Sequence, residues 1–353
     1  MPFPITKLPY LPQVEVLKQL ELQELFLLSL CSEKSKKLVQ TANLKVEILK
    51  FSLNGKGIQV LVESNDDVHC VASMKLVQLA SSDETPIKLG GSKVQCRCIE
   101  EPPTSQLSHT FQYLQTEEKI VFESIQHHMR TLFRDTPRVQ LELSSIAALS
   151  KAEVIKDVTD TSFSMETLET SVLENYLSTR QDQQSIQLKA SLVGPPLAGN
   201  SRLWNVKGLA VHGTFADLVN QILLGPRVVI PGIIRNFGGE HLCFTDVMYN
   251  IDSWRQLIRR WRAKEAYHDL RWFSTTSPAA LPIIAGTALD EFNLVRWDGI
   301  RRPRTVKLDS KIVSFIMKEE IDCSSWMDIQ QDGGGKWASI KMTDSTICFV
   351  VWD

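Results

Sequence analysis

Residues 121–132, Val121-Phe122-Glu123-Ser124-Ile125-Gln126-His127-His128-Met129-Arg130-Thr131-Leu132, place Val121, Ile125, His128, Met129 and Leu132 on one stripe at helical spacing. Pro137 closes that helix, and Val139, Leu141 and Leu143 then alternate as a strand of period two. The same order recurs downstream. Met165, Leu168, Val172, Leu173 and Tyr176 are answered by Ile186, Leu188 and Ala190, and a loop rich in Gly, Pro and Ser at 194–201 leads to a strand with Leu209 and Val211. Phe215, Leu218, Val219, Ile222 and Leu223 are answered by a strand at 228–230, and Trp254, Leu257, Ile258 and Trp261 by Leu270, Trp272 and Phe273. The units recur roughly every 40 to 50 residues, and each pair leaves an apolar face that only a neighbour can cover, so an irregular α/β solenoid-like stack is expected.

Upstream, the period changes. Phe51 and Leu53 precede Asn54-Gly55-Lys56-Gly57, and Ile58, Val60 and Val62 follow, a hairpin signature because Asn-Gly supplies positive φ angles. Further strands are expected at 68–77 and 94–99, ending in the linker-like Glu100-Glu101-Pro102-Pro103-Thr104-Ser105. The first 40 residues read instead as helices: Pro9 and Pro12 punctuate the entry, Val16, Leu17 and Leu20 form one stripe, and Leu22, Leu25, Phe26 and Leu28 a second. Ser32 can cap a third short segment at 33–39 whose lysines face water. At the other end, Ile340, Met342, Ile347, Phe349 and Val351 alternate around a turn at Asp344-Ser345, with an earlier turn at Asp332-Gly333-Gly334-Gly335 after Met327 and Ile329. A closing β-meander follows from this pattern.

Composition narrows the function. Apolar residues are 43% and charged residues 23% of 353, and 39 basic against 41 acidic side chains give a net charge of −2, so no global field advertises a nucleic-acid or membrane partner. Seven cysteines without a paired spacing make no disulfide framework, and the first residues lack the basic start and apolar core of a signal peptide. The longest apolar runs fall short of the roughly 20 residues that span a bilayer. An intracellular protein, cytoplasmic or nuclear and without a membrane partner, is expected.

No catalytic motif with a physical basis emerges: no Gly-x-Ser-x-Gly elbow, Walker loop, His-Glu-x-x-His or Gly-x-Gly-x-x-Gly stands in the chain, and no catalytic residue, cofactor or metal is expected. His127 and His128 are adjacent on a helix, about 100° apart, and are read as solvent or boundary residues. Cys96 and Cys98 share a strand face but lack two further zinc ligands, so two half-buried thiols are expected. One constellation invites a binding role. Arg255, Arg259 and Arg262 share a helix face with Arg260 and Lys264 beside it, and Arg296, Arg301, Arg302 and Arg304 follow with Trp297 among them. Basic residues interleaved with aromatics can hold an acidic protein or a phosphate backbone, so the 255–264 and 296–304 segments define an alternative reading as a nucleic-acid or acidic-partner module, nucleic acid being the less favoured.

The opening, Phe3-Pro4-Ile5-Thr6-Lys7-Leu8-Pro9-Tyr10-Leu11-Pro12, then Val14-Glu15-Val16-Leu17-Lys18-Gln19-Leu20 and the run from Glu24 through Leu30-Cys31-Ser32 to Leu38, resembles the F-box of the large nematode family of F-box proteins. Trp204 through Val211, Asp252 to Trp261, and the closing Trp326-Met327-Asp328-Ile329 to Trp352 look like the type-2 F-box-associated domain that accompanies it; Gly232, Gly238 and Gly239 depart from that pattern. The resemblance implies an α+β chain: an F-box helical unit at 1–43, a β-hairpin-rich region at 44–104, and at 105–353 an irregular α/β leucine-rich-repeat-like domain. It implies a non-catalytic adaptor in which Leu8, Pro9, Val16, Leu17, Leu20, Leu25, Leu28 and Leu30 contact or support the Skp-type linker of a cullin ubiquitin ligase. The C-terminal domain would hold an unknown protein substrate, with Arg255, Arg259, Arg262 and Trp297 as candidate contacts.

Overall fold

In the computed structural model, which describes residues 8–64, 67–78, 85–102, 109–133, 137–213, 229–247, 251–276, 289–308 and 320–352, the chain divides into two units, Met1–Val158 and Thr159–Asp353. Each contains strands and helices. No helix of the described residues is long and apolar enough to cross a membrane.

The first unit begins with α1 (Tyr10–Lys18), α2 (Leu22–Cys31) and α3 (Glu33–Thr41). Pro12 does not punctuate the entry: it lies in the first turn of α1, where the missing N–H has no helical partner to lose. Glu21 and Glu24 close a capping box at the start of α2, and the Ser32 hydroxyl accepts from Ser35 N to start α3. Strands β1 (Ile48–Asn54), β2 (Gly57–Ser64), β3 (Asp67–Val77), β4 (Thr85–Leu89), β5 (Ser92–Glu100) and β6 (His109–Leu114) follow, then α4 (Glu118–Leu132), β7 (Arg138–Leu143) and α5 (Ile146–Ala152). The sheet order is β7-β1-β2-β3-β6-β5-β4. The expected β1–β2 hairpin forms, with Phe51 opposite Val60 and Leu53 opposite Ile58, but the positive φ falls on Gly57 rather than on Asn-Gly: at φ +148° a Cβ there would meet the Met74 carbonyl oxygen at 2.0 Å. Lys56 N instead donates to Asn54 Oδ1 (2.8 Å), turning the loop through the side chain. The expected boundaries at 43/44 and 104/105 both lie inside this unit, because β6, beyond the 100–105 linker, returns to pair with β3 and β5 while β7 runs parallel to β1.

The α4 stripe is buried as its spacing requires, including His128. His128 is no solvent residue. Its Nδ1 accepts from Gly90 N (3.3 Å) and its Nε2 lies 2.7 Å from Ser29 Oγ, which itself donates to the Phe26 carbonyl (2.6 Å). Those roles assign the neutral Nε2–H form, a clasp between α2, α4 and the β4–β5 turn. Burial, helped by Lys36 and His127 and opposed by Glu33, pushes the imidazole down to about 4. The unfolded chain takes up this proton below about 6.5 and the folded chain does not until about 4, so the clasp's contribution is complete above pH 6.5 and is lost as pH falls to 4. On the order of 3 kcal/mol is at stake across that window. Thermal melting of wild type should show a larger fall from pH 7 to pH 4.5 than that of His128→Gln; equal falls would refute the clasp.

In the second unit, β8 (Val158–Phe163), β10 (Ser185–Leu188), β12 (Gly208–His212), β13 (His241–Thr245) and β14 (Trp272–Thr276) lie side by side, all parallel and in chain order. A second short ladder pairs β9 (Thr167–Glu169) with β11 (Ser191–Val193). Helices α6 (Thr170–Thr179), α7 (Val229–Asn236) and α8 (Ile251–Arg262) join the strands. After β15 (Val295–Arg296) and the pair β16 (Thr305–Lys307) and β17 (Glu320–Asp322), the expected meander of β18 (Met327–Gln330), β19 (Trp337–Met342) and β20 (Thr346–Val351) joins the sheet antiparallel to β14. Register lines up Thr161, Ile186, Leu209, Leu242, Phe273, Phe349 and Ile340 as one continuous buried row. Trp261 of α8 stacks edge-on to Phe349 at 5.1 Å, and Trp254, Leu257 and Ile258 are sealed beside it. The opposite row, Ser162, Gln187, Ala210, Cys243, Ser274 and Cys348, is small or polar and satisfies itself laterally, as where Ser162 Oγ donates to Gln187 Oε1 (2.9 Å).

Several expectations change here. From Val229 on, the apolar run forms the helix α7 rather than a strand, with Pro231 tolerated near its start, residue 228 lies outside the described residues, and the strand is β13, which begins at His241. A short continuous apolar run does not distinguish the two by period. Phe215, Leu218, Val219, Ile222 and Leu223 lie outside the described residues. Met165 and Leu168 precede α6, Leu168 falling in β9, and Trp204 lies in a 3₁₀ turn ahead of β12. The parallel strands begin at residues 158, 185, 208, 241 and 272, closer together than expected, because β8 and β13 went unread.

Candidate functional site

The N-terminal helices divide their apolar residues between a sealed side and an open one. Leu17 and Leu25 are fully buried, so they support the helices and leave no surface for a partner. Phe26 packs edge-on against Phe111 of β6 (6.2 Å) and His128 (5.7 Å), and Gln40 of α3 donates to the Thr131 carbonyl at the end of α4. The module is thus built onto its own sheet. On the open side Tyr10 is 59% and Leu11 73% exposed, Pro9 and Val16 are exposed, and Leu8, Leu20, Leu28 and Leu30 are half-buried. Tyr10 and Leu11 were missed because the prolines around them read as a break; a proline three residues into a helix is the signal that would have found them. Gln13 fixes the entry by donating Nε2–H to the Leu8 carbonyl (2.7 Å).

The arginines are brought together less than their spacing implies, because most of them meet a partner within the unit. Arg255 lies 3.2 Å from Asp252 and 3.4 Å from Glu291, Arg259 2.9 Å from the same Glu291, and Arg262 2.8 Å from Asp332. Arg304 pairs with Asp322 at 2.8 Å, holding that carboxyl below its ordinary range, and Arg260 donates to the Arg235 carbonyl (3.1 Å) over the Tyr267 ring. A phosphate backbone would have to displace these carboxylates. Trp297 is half-buried, donates Nε1–H to the Arg302 carbonyl (3.1 Å), and lies under the Arg302 guanidinium.

Arg302 is itself the centre of a buried ionic hub, with side-chain exposure of 1% against 0% for Asp328. Its Nε donates to Asp328 Oδ1 (2.9 Å), its Nη2 to the Cys323 carbonyl (2.7 Å) and its Nη1 to the Pro303 carbonyl (3.0 Å). Ser339 Oγ donates to the same Asp328 oxygen (2.7 Å), Trp352 Nε1 donates to Ser339 Oγ (2.7 Å), and the Trp297 and Trp352 rings flank the guanidinium. This arginine, read from sequence as surface, is a structural anchor.

The buried thiols of the second unit are chemically quiet. Burial pushes Cys243 and Cys323 up to about 12 and Cys348 to about 11, far from the thiolate range. Cys96 is buried while Cys98 is exposed, so the two are not alike as expected. Among the described residues no group of three His, Cys, Asp or Glu side chains is placed to hold a metal ion.

The three-helix module is seated on a sheet and leaves one apolar face open. Residues 5–47 match the family model of the F-box domain, so these helices are an F-box. F-box domains bind the Skp-type linker of cullin ubiquitin ligases, and the proteins that carry them are in general non-catalytic adaptors. No curated protein sequence and no solved structure matches the chain.

Proposed function

We propose that the protein is a substrate-recognition adaptor of a Skp-cullin-F-box ubiquitin ligase, in which the open face of α1 docks on the linker and the second unit holds a protein substrate. The observation that carries this reading is the F-box match together with the outward Tyr10, Leu11 and Val16. Pro9 and the half-buried Leu8, Leu20, Leu28 and Leu30 complete the surface, and Leu17 and Leu25 hold it in shape. Residues 1–43 act as the docking module, and the β-hairpin-rich region at 44–104, with β6, β7 and α4, as the support that carries it. Beyond them, the run of parallel strands in chain order supports a leucine-rich-repeat-like plan akin to the type-2 F-box-associated domain of nematode adaptors, an extended surface of the kind stacked units offer. Such an adaptor works in the cytoplasm or nucleus. Co-expressed with the Skp-type linker, wild type should retain it, and Tyr10→Asp/Leu11→Asp should lose at least about thirtyfold in affinity, the equivalent of one interface hot spot. Retention of the linker by the double variant, with the fold intact by circular dichroism, would sink the assignment of this face.

A further inference from the structure

Resting on the reading that the second unit holds substrate, we propose that the cavity between the β11 loop and α7 is the pocket that takes an uncharged, apolar side chain of that substrate. The cavity measures about 540 Å³, inside the range of about 300–1,000 Å³ typical of ligand pockets. One wall is the stretch Leu192 to Leu197, which leaves β11 through Gly194 at φ +103°. Two hydrogen bonds fix that wall: Thr170 Oγ1 donates to the Pro195 carbonyl (2.8 Å) and Trp204 Nε1 to the Ala198 carbonyl (2.8 Å). The opposite wall is α7, through Gly232 and Asn236 one turn apart.

Three observations set the chemistry of the occupant. None of the described lining residues is ionisable, so a charged group entering the cavity would meet no counter-charge among them. Asn236 donates its Nδ2–H to the Gly232 carbonyl (3.0 Å), which leaves Oδ1 as an acceptor at the rim, suited to a peptide N–H beside the bound side chain. Gly232 is the third. A Cβ built on it meets no atom of the described residues within 4 Å, and its backbone is not in the left-handed region, so neither packing against them nor conformation demands glycine at this helical position. Glycine is unfavourable inside a helix, and here it leaves open the space that any side chain would enter. A preformed apolar space with fixed walls, one polar acceptor and an uncrowded glycine is arranged to admit a side chain from outside.

The test uses the full-length chain and five probes, N-acetyl-leucine amide, N-acetyl-tryptophan amide, free indole and, as charged comparators, N-acetyl-lysine amide and N-acetyl-glutamate amide. Saturation-transfer NMR should show binding of the two apolar amides and not of the charged pair. Gly232→Ala should weaken that binding, and Gly232→Leu, whose side chain stands in the cavity, should weaken it at least tenfold. Helical content should hold in both variants. Apolar binding that ignores Gly232→Leu, charged amides bound as well as apolar ones, or no binding at all would each overturn the proposal. Indole bound as tightly as the amides would also overturn it, since the pocket would then take a free small molecule rather than a peptide side chain. Linker affinity measured on the same samples separates the two readings: its loss in wild type would strike the adaptor assignment, whereas the pocket stands or falls on the Gly232 series.

Discussion

Replacing Arg302 with methionine is expected to lower the stability of the second unit by about 3–5 kcal/mol, because it takes the buried guanidinium away from the buried Asp328 carboxylate. The methionine fills much of the arginine's volume, so packing against Trp297 and Trp352 is partly kept and the loss is mainly electrostatic. Asp328 would keep its bond from Ser339 and the partly exposed Arg301 guanidinium 3.8 Å away but lose its closest, fully buried counter-ion, and the Cys323 and Pro303 carbonyls would each lose a donor. Removing both charges in Arg302→Met/Asp328→Leu should recover part of the loss, since a buried pair often gains little over apolar residues of similar size. The readout is unusually clean. All eight tryptophans of the chain, Trp204 through Trp352, lie in the second unit, so denaturant unfolding followed by tryptophan fluorescence reports that unit. A single variant within about 1 kcal/mol of wild type, the worth of an exposed ion pair, would show that the hub is not holding the closing meander in place.

Phe26→Ala should have an effect of similar size in the other unit, about 3–5 kcal/mol, since a buried aromatic leaves both its transfer energy and a cavity behind. Phe26 is sealed between α2, Phe111 and His128, so its loss loosens the contact that seats the F-box on the sheet. Amide exchange in α2, α3 and the β4–β5 turn should accelerate accordingly, while tryptophan fluorescence reports a second unit that still unfolds cooperatively. If protection of α2 were unchanged, the F-box would be held by its own three helices alone and the sheet would be a bystander.

What sequence revealed and what it hid follow from the range of the interactions involved. The α8 stripe was legible because Trp254, Leu257, Ile258 and Trp261 recur at helical spacing and all face one core. The closing meander was legible for the matching reason, strict alternation around two turns. Local patterns failed where two elements share one composition: the apolar run at 228–234 carries no period that separates helix from strand, and Gly232 read as an interruption because the cavity it borders is built from β11, Trp204 and α7 together. His128 looked like one of a solvent pair because nothing on α4 announces Ser29, 99 residues earlier, or the Gly90 turn. The arginine cluster looked like a binding face because Glu291 and Asp332, 32 and 70 residues from Arg259 and Arg262, are invisible to spacing. The F-box itself was legible as an ordered motif. Which of its leucines face outward was not, since that depends on the sheet that covers the other side.

Hydrogen exchange of the full-length chain, measured with and without the Skp-type linker, tests the central claim most directly. The account predicts linker-induced protection concentrated in residues 8–31, strongest in α1 around Tyr10 and Leu11, with exchange in Thr159–Asp353 unchanged. Protection confined to the second unit, or none in residues 8–31 at saturating linker, would contradict it.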